Sequence, residues 1–186
     1  MPRRVRYNAA TTLDGYIASP DGSASWIVED ERIDFAALYA EFDVFVMGRK
    51  TYHVMRSFAA QSSDDPLAGK RVFVVSRTLE KPQDGDNSDI TIVGDDFLDV
   101  IRRLREEEDG KDVWLMGGGE LVAACLEAGL VDSIEAAVMP VVLGDGIKMI
   151  ASLSPGESNR SWRLRLRGVD QLDSGILMTR YDVLKH

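Results

Sequence analysis

The chain has 186 residues, 45% hydrophobic and 28% charged, with a formal net charge of −9. That length suits one domain with a well-buried core, and a negative field of this size makes nucleic acid a poor partner. No run of about 18 apolar residues is present to span a membrane, the N-terminal MPRRVRYNAA lacks the apolar stretch of a signal peptide, and the single cysteine, Cys125, allows no intrachain disulfide, which suits a reducing cytoplasm.

In chain order, residues 5–10 read as a short strand. Residues 11–25, with two Asp-Gly pairs and a proline, read as a loop. Residues 29–41 carry apolar positions at helical spacing behind an acidic first turn. DVFVM (43–47) is a buried strand, followed by a helix from Arg49 to about Phe58 and a loop, AAQSSDDPLAG. RVFVVS (71–76) is a strand, KPQDGDNSD a loop, and residues 90–93 a further strand.

Asp95 or Asp96 caps a helix through Arg105, with Gly110 as its stop. Residues 112–116 form a strand, 120–127 a helix ending near Gly129, and 133–139 a strand. WRLRLR (162–167) alternates with period two and reads as a half-exposed strand. Residues 176–183 form the last strand, and GVDQLDSG between these two predicts an antiparallel hairpin. The order is α/β, a largely parallel sheet with helices on both faces and an antiparallel C-terminal end, within one domain over 1–186.

Two strands run into helices through glycine, in FDVFVMGRKTYHVM and in KDVWLMGGGELVAACL. Glycine inside an element loses about 0.5–1 kcal/mol relative to alanine. Three in a row at Gly117, Gly118 and Gly119 therefore ask what approaches them so closely. Free N–H groups and the dipole of a helix start attract phosphate, and a dinucleotide pyrophosphate needs the bare backbone nearby. Arg49 and Lys50 open a helix where cations are unfavourable unless an anion binds. Ser76-Arg77 places a hydroxyl and a guanidinium at another strand end, where arginine selects a 2′-phosphate. Neither GxGxxG nor a P-loop fits: Val122 stands where the former needs Gly or Ala, and MGRKTY lacks the frame of the latter. His53, His186 and Cys125 have no metal-site spacing, Cys125 lies among apolar residues as a buried thiol, and GxSxG is absent.

NAATTLDGYIA, the tryptophan after it, VMGRKTY, VVSR, LMGGGEL and MPVVLGDG together resemble the dihydrofolate reductase-like fold, in the branch related to the reductase domain of bacterial riboflavin biosynthesis. The resemblance runs from about Val5 to Val183 and implies a three-layer fold, NADPH as cofactor and hydride transfer to a C=N or C=O group. It implies that Ala10 and Ile17 contact the nicotinamide. Gly48, Arg49, Lys50 and Thr51 then meet the pyrophosphate and adenosine phosphate, and Ser76 and Arg77 flank the ribose 2′-phosphate. Met116, Gly117, Gly118, Gly119, Glu120 and Leu121 lie along the pyrophosphate and nicotinamide.

On the substrate side, Trp26, Glu31 and Phe35 reproduce the family's Trp–carboxylate–Phe spacing, with Glu31 pointing into the cleft from a helix as proton donor. The competing reading makes Glu31 part of an acidic helix start and Trp26 a core residue. Asp14 in TLDG is a second candidate acid, and Asp-Gly is equally a turn pair. Two departures stand out: Met116 replaces the glutamate that usually precedes the glycines in riboflavin-pathway reductases, and only Arg32 is at hand for a sugar phosphate. The expected substrate is thus a small pterin-like, pyrimidine-like or carbonyl compound. The alternative is a non-catalytic nucleotide-binding protein that kept the fold. Relatives of this branch pair as homodimers, and WRLRLR offers an edge for that.

Overall fold

The computed structural model describes residues 3–61, 65–80, 89–152 and 161–185. Parts of the loops expected over 59–69 and 81–89, and His186, lie outside the described residues. Fourteen elements follow one another: β1 Val5–Thr12, β2 Tyr16–Ala18, α1 Phe35–Ala40, β3 Phe42–Gly48, α2 Arg49–Gln61, β4 Arg71–Val75, β5 Asp89–Val93, α3 Phe97–Glu106, β6 Asp112–Gly117, α4 Gly119–Glu127, β7 Ser133–Met139, β8 Ile147–Lys148, β9 Leu164–Gln171 and β10 Leu177–Val183.

Eight strands make one sheet in the order β5-β4-β3-β6-β1-β7-β10-β9. The first six are parallel, β10 runs antiparallel to β7, and β9 turns back antiparallel to β10 as a hairpin. The central strands are apolar on both faces, as burial under two helical layers requires: Phe42, Val44, Phe45, Val46 and Met47 of β3 are all nearly inaccessible. On one face, Val44, Val46, Val113, Leu115, Val5 and Tyr7 pack under Ile101 and Leu104 of α3 and Val122, Cys125 and Leu126 of α4. On the other, Phe42, Phe45, Met47, Val72, Val74 and Trp114 pack under Leu38 and Tyr39 of α1 and Tyr52 and Met55 of α2. Three layers result, and Cys125 is enclosed, with burial pushing its thiol up to about 12.

Three expectations change. The helix expected over 29–41 shrinks to α1. Asp34 caps it by accepting from the Ala37 amide at 2.8 Å. Upstream, the Asp30 carboxylate accepts from the Arg32 amide at 3.0 Å and its carbonyl from Ile33 at 3.0 Å, which turns the chain instead of continuing a helix. The loops around 11–25 and 141–148 contain a strand pair, β2 with β8. Finally, WRLRLR does not have one buried face. β9 is the sheet's edge, and Leu164, Leu166 and Val169 stay 39–53% exposed because α3 and α4 lie over the strands from β3 to β1 and stop short of it.

Past β1 on the α1–α2 side, polar residues replace the apolar core. Arg6 grips Glu135 with two hydrogen bonds of 2.7 Å, and Asn8 and Ser133 donate to the same carboxylate at 3.2 and 3.0 Å. Burial would raise the Glu135 pKa, but the guanidinium and the two further donors outweigh it and hold it below its ordinary value. A depressed folded-state pKa contributes stability that is present above the unfolded value and lost as pH falls through the folded one. Equilibrium urea unfolding between pH 7 and 3 should show stability declining below the usual glutamate pKa of 4.5. That decline should be shallower in Glu135→Gln, and at pH 7 Glu135→Ala should lose about 1–3 kcal/mol, because Arg6 loses its two-bond partner and keeps only the carboxylates of Glu41 and Asp112 among the described residues.

Candidate functional site

The site is built where the sheet reverses direction. β3 and β6 are adjacent and parallel, with Met47 paired to Gly117. Yet α2, which leaves β3, packs on one face, while α4, which leaves β6, packs on the other. A crevice opens at the carboxyl ends of two such strands, the place where α/β sheets bind ligands. The two glycine junctions, 69 residues apart in the chain by number, abut there: a Cβ on Gly48 would sit 3.7 Å from the Gly118 nitrogen and 3.8 Å from the Gly117 oxygen.

α4 has Gly118 as N-cap with no side-chain capping bond and carries Glu120 in its first turn, and the first turn of α2 contains no acid. The approach of Gly48 to Gly117 and Gly118 brings the two helix starts, whose free N–H groups favour anions, next to one another. Cations accompany them. Arg49 donates to the Thr78 hydroxyl at 2.7 Å, which brings the GRKT segment against the SRT segment. Ser76 Oγ accepts from the Thr78 and Leu79 amides at 3.2 and 3.0 Å, fixing that turn while its own hydroxyl proton stays available. Lys50 and Arg77 are exposed and have no protein partner among the described residues. In a chain of net charge −9, this is a local positive cradle for an anion. Thr51 lies half-buried beside it.

The three glycines differ in what the protein's own backbone asks of them. Gly117 has φ 104°, a backbone conformation that side chains strain. Gly119 is needed by the protein itself: a Cβ there would overlap the Lys148 carbonyl oxygen and lie 3.2 Å from the Ala151 amide, which donates to the Gly119 carbonyl. Only Gly118 faces open space. Of the residues after them, Glu120 is exposed, whereas Leu121 is buried in the core under α4.

Ala10 near the end of β1 and Met116 near the end of β6 lie on the same sheet face, two residues beyond Asn8 and Trp114 respectively, and both are half-buried. Ile17 is half-buried in β2. Trp26 is half-buried with its indole N–H enclosed and unpartnered. Glu31 is exposed in a turn rather than on a helix, and Phe35, the first residue of α1, is 57% exposed. The expectation that Glu31 projects from a helix is thus replaced by a turn four residues ahead of it. Arg32 is engaged with Asp30 at 3.4 Å and Asp173 at 3.5 Å.

Asp14 has a different task from proton donation. It accepts from the Thr12 hydroxyl at 2.6 Å and from the Leu143 and Gly144 amides at 3.2 and 2.7 Å. The Thr12 hydroxyl foremost, then those amides, hold its carboxyl below the usual range. A group kept ionised in this way anchors the 141–146 loop and has no proton to give near neutrality. Sequence reasoning also passed over Thr78, whose place two residues after Ser76 is the mark of a serine-initiated turn.

The RibD C-terminal domain model matches residues 3–178. The chain belongs to the RibD C-terminal domain family. It is 30% identical over 152 residues to the uncharacterized protein YyaP of Bacillus subtilis, covering 77% of this chain and 78% of that one. It is 27% identical over 180 residues to the riboflavin biosynthesis protein RibD of Mycobacterium tuberculosis, covering 94% of this chain but 53% of RibD, so it spans about half of that relative. Among solved structures, a putative riboflavin biosynthesis protein from Shewanella sp. PV-4 superposes over the full length of both chains with a TM-score of 0.79 and 25% identity. A pyrimidine reductase-like protein from Corynebacterium diphtheriae shares the fold at a TM-score of 0.70 and 13% identity, over 99% of this chain and 93% of that one. The three-layer arrangement of this RibD-type domain is thus the dihydrofolate reductase-like fold.

The glycine analysis separates two substitutions. Gly119→Ala should destabilise the ligand-free protein by about 1–3 kcal/mol through overpacking against the main chain of 148–151. Gly118→Ala should leave the urea midpoint nearly unchanged. Equal midpoints for both would remove the steric account of Gly119.

Proposed function

We propose that the protein is an NADPH-dependent reductase of a small heterocyclic or carbonyl compound. One observation carries this reading: the starts of α2 and α4 abut at Gly48 and Gly117–Gly118, and the cationic side chains Arg49, Lys50 and Arg77 follow directly on the carboxyl ends of β3 and β4 at this switch point. That donor set fits a phosphorylated dinucleotide. Gly48, Arg49, Lys50 and Thr51, with the amides at Gly118 to Glu120, would hold the pyrophosphate and adenosine phosphate. Ser76 and Arg77 would take the 2′-phosphate that distinguishes NADPH from NADH. Ala10, Ile17 and Met116 would form the apolar seat of the nicotinamide. When bound, NADPH supplies a hydride to an electron-poor C=N or C=O carbon. The chain's own contribution is orientation and exclusion of water around that pair.

On the acceptor side, Trp26 and Phe35 offer aromatic surface. Glu31, with Asp14 committed to its loop, is the carboxylate left to assist a proton. RibD and a pyrimidine reductase-like protein among the relatives support a pyrimidine-like ring. Met116 and the engagement of Arg32 with Asp30 and Asp173 argue for an acceptor without a sugar phosphate. The second reading, a nucleotide-binding protein without turnover, is favoured by the exposure of Glu31, which sits in a surface turn and not on a helix facing the sheet.

Titration with NADPH and NADH, followed by protein fluorescence, should give saturable binding tighter for NADPH. Arg49→Ala and Arg77→Ala should each weaken NADPH about tenfold and NADH much less. No saturable signal with either nucleotide overturns the reading. Loss of NADPH absorbance across dihydrofolate, dihydropterins and the riboflavin-pathway pyrimidine names the acceptor, and tight binding without oxidation on a broad panel selects the second reading.

A homodimer belongs to the same proposal. Leu164, Leu166, Val169 and Leu177 form an exposed apolar stripe along the open β9–β10 edge, 37–53% accessible. Light scattering should report a dimer, and Leu166→Asp should shift it toward monomer while NADPH binding persists. An unshifted monomer in the parent protein would exclude this assembly.

A further inference from the structure

Between β2 and α1 the chain makes an excursion whose far end is tied down by residues more than 140 positions away. Ser174, in the turn of the β9–β10 hairpin, donates to Asp30 Oδ2 at 2.6 Å. Asp30 Oδ1 meanwhile accepts from the Arg32 amide at 3.0 Å, and Arg32 Nη1 lies 3.5 Å from Asp173 in the same hairpin turn. The Asp30 carboxylate is only 9% exposed although it sits in a surface turn. The Ser174 hydroxyl foremost, then the Arg32 amide, hold it ionised, at about 2.

The hairpin end of this tie is rigid. Leu172 donates to the Ile176 carbonyl at 2.9 Å and Gly175 to Leu172 at 3.0 Å. Ile176 is wholly buried, and Gly175, at φ 89°, leaves room against Pro140, which a Cβ there would approach to 3.4 Å. The excursion itself carries little of its own anchorage. Residues 24–34 form no helix or strand, and most of them are exposed.

The two ends of the segment define its path. Leu177 pairs with Val138, so the hairpin turn stands at the carboxyl end of β7. α1 packs through Tyr39 on Phe45 and Trp114, on the face of β3 and β6 that also carries Met116 and Ala10. The chain from Asp30 to Phe35 therefore joins the hairpin turn at the carboxyl end of β7 to the start of α1, which packs on the β3–β6 face. Trp26 and Glu31 lie in this excursion, and Phe35 opens the helix that follows it.

We infer that Asp30 and Ser174 form a latch that pins the 24–34 segment to the β9–β10 turn at the carboxyl end of β7, so that the hairpin turn, far away in sequence, positions the acceptor side of the site. In its bearing on the acceptor this rests on the reductase reading; the latch itself does not. Asp30 and Ser174 are positioning residues, since nothing places them against the reacting atoms.

Amide hydrogen exchange on the intact protein tests the latch directly. Ser174→Ala and Asp30→Ala should each speed exchange in residues 24–34 about five- to tenfold, the two together no more than either alone, and Ser174→Thr should restore the parent rate. NADPH affinity should stay within twofold of the parent, while the KM of whichever acceptor is reduced rises about fivefold or more. Unchanged exchange in 24–34 overturns the latch. Faster exchange throughout the sheet, or failure of Ser174→Thr to restore protection, overturns it in favour of general destabilisation. Faster exchange in 24–34 with an unchanged acceptor KM overturns its positioning role. If the parent protein binds no NADPH, the reductase reading falls, and the exchange measurement still decides the latch.

Discussion

Everything at the candidate site follows from the side-by-side, same-direction pairing of β3 and β6. Parallel neighbours must each be reached by a crossover, and here the two crossovers leave toward opposite faces of the sheet. The helix starts cannot then be separated: they flank one crevice, and their unsatisfied amides add to a single field. An acidic chain could not attract a phosphorylated ligand by its overall charge. The proposed site offers instead a local attraction, through main-chain dipoles and a few side chains held at strand ends.

The same acidic composition explains how the sheet is fastened away from the site. Carboxylates and arginines meet at the lower ends of the strands and on the open face beyond β1. Arg3 bridges Asp43, Glu107 and the Lys111 carbonyl, and Arg71 joins Glu107 at 2.8 Å. Arg4, Arg165 and Arg167 all converge on Asp182, which sits at about 2 with the Arg165 guanidinium as the foremost cause. Such planar, multi-donor contacts are what arginine provides and lysine does not. At the carboxyl ends of β3 and β4, by contrast, Lys50 and Arg77 remain unpaired with protein among the described residues.

Much of this was legible in the residues. Continuous apolar runs such as DVFVM and RVFVV mark strands buried on both faces, and glycine after each run marks where a helix departs. The candidate cofactor residues were found because cations at a helix start and glycines at a strand end violate ordinary preference, and such violations point to function. What was not legible depended on contacts distant in sequence. That Gly119 answers to Lys148, that Asp14 answers to Leu143 and Gly144, and that Asp30 answers to Ser174 cannot be read from spacing. Residues 29–34 misled because their helical periodicity is real, while two aspartate side chains compete for the backbone amides that a helix would use. WRLRLR misled because alternation shows that a strand has two faces, and leaves open whether anything covers them.

The short pairing of β2 with β8 joins the segment after β1 to the segment after β7, and Gly119 locks the second of these against the start of α4. The two segments are therefore tied to one another and, through Lys148 and Ala151, to the start of α4. An insertion in one segment would have to be matched in the other, across more than a hundred intervening residues. Variation in what this domain accepts should accordingly accumulate in residues 19–34, the one stretch bordering the crevice that can change length without breaking that tie.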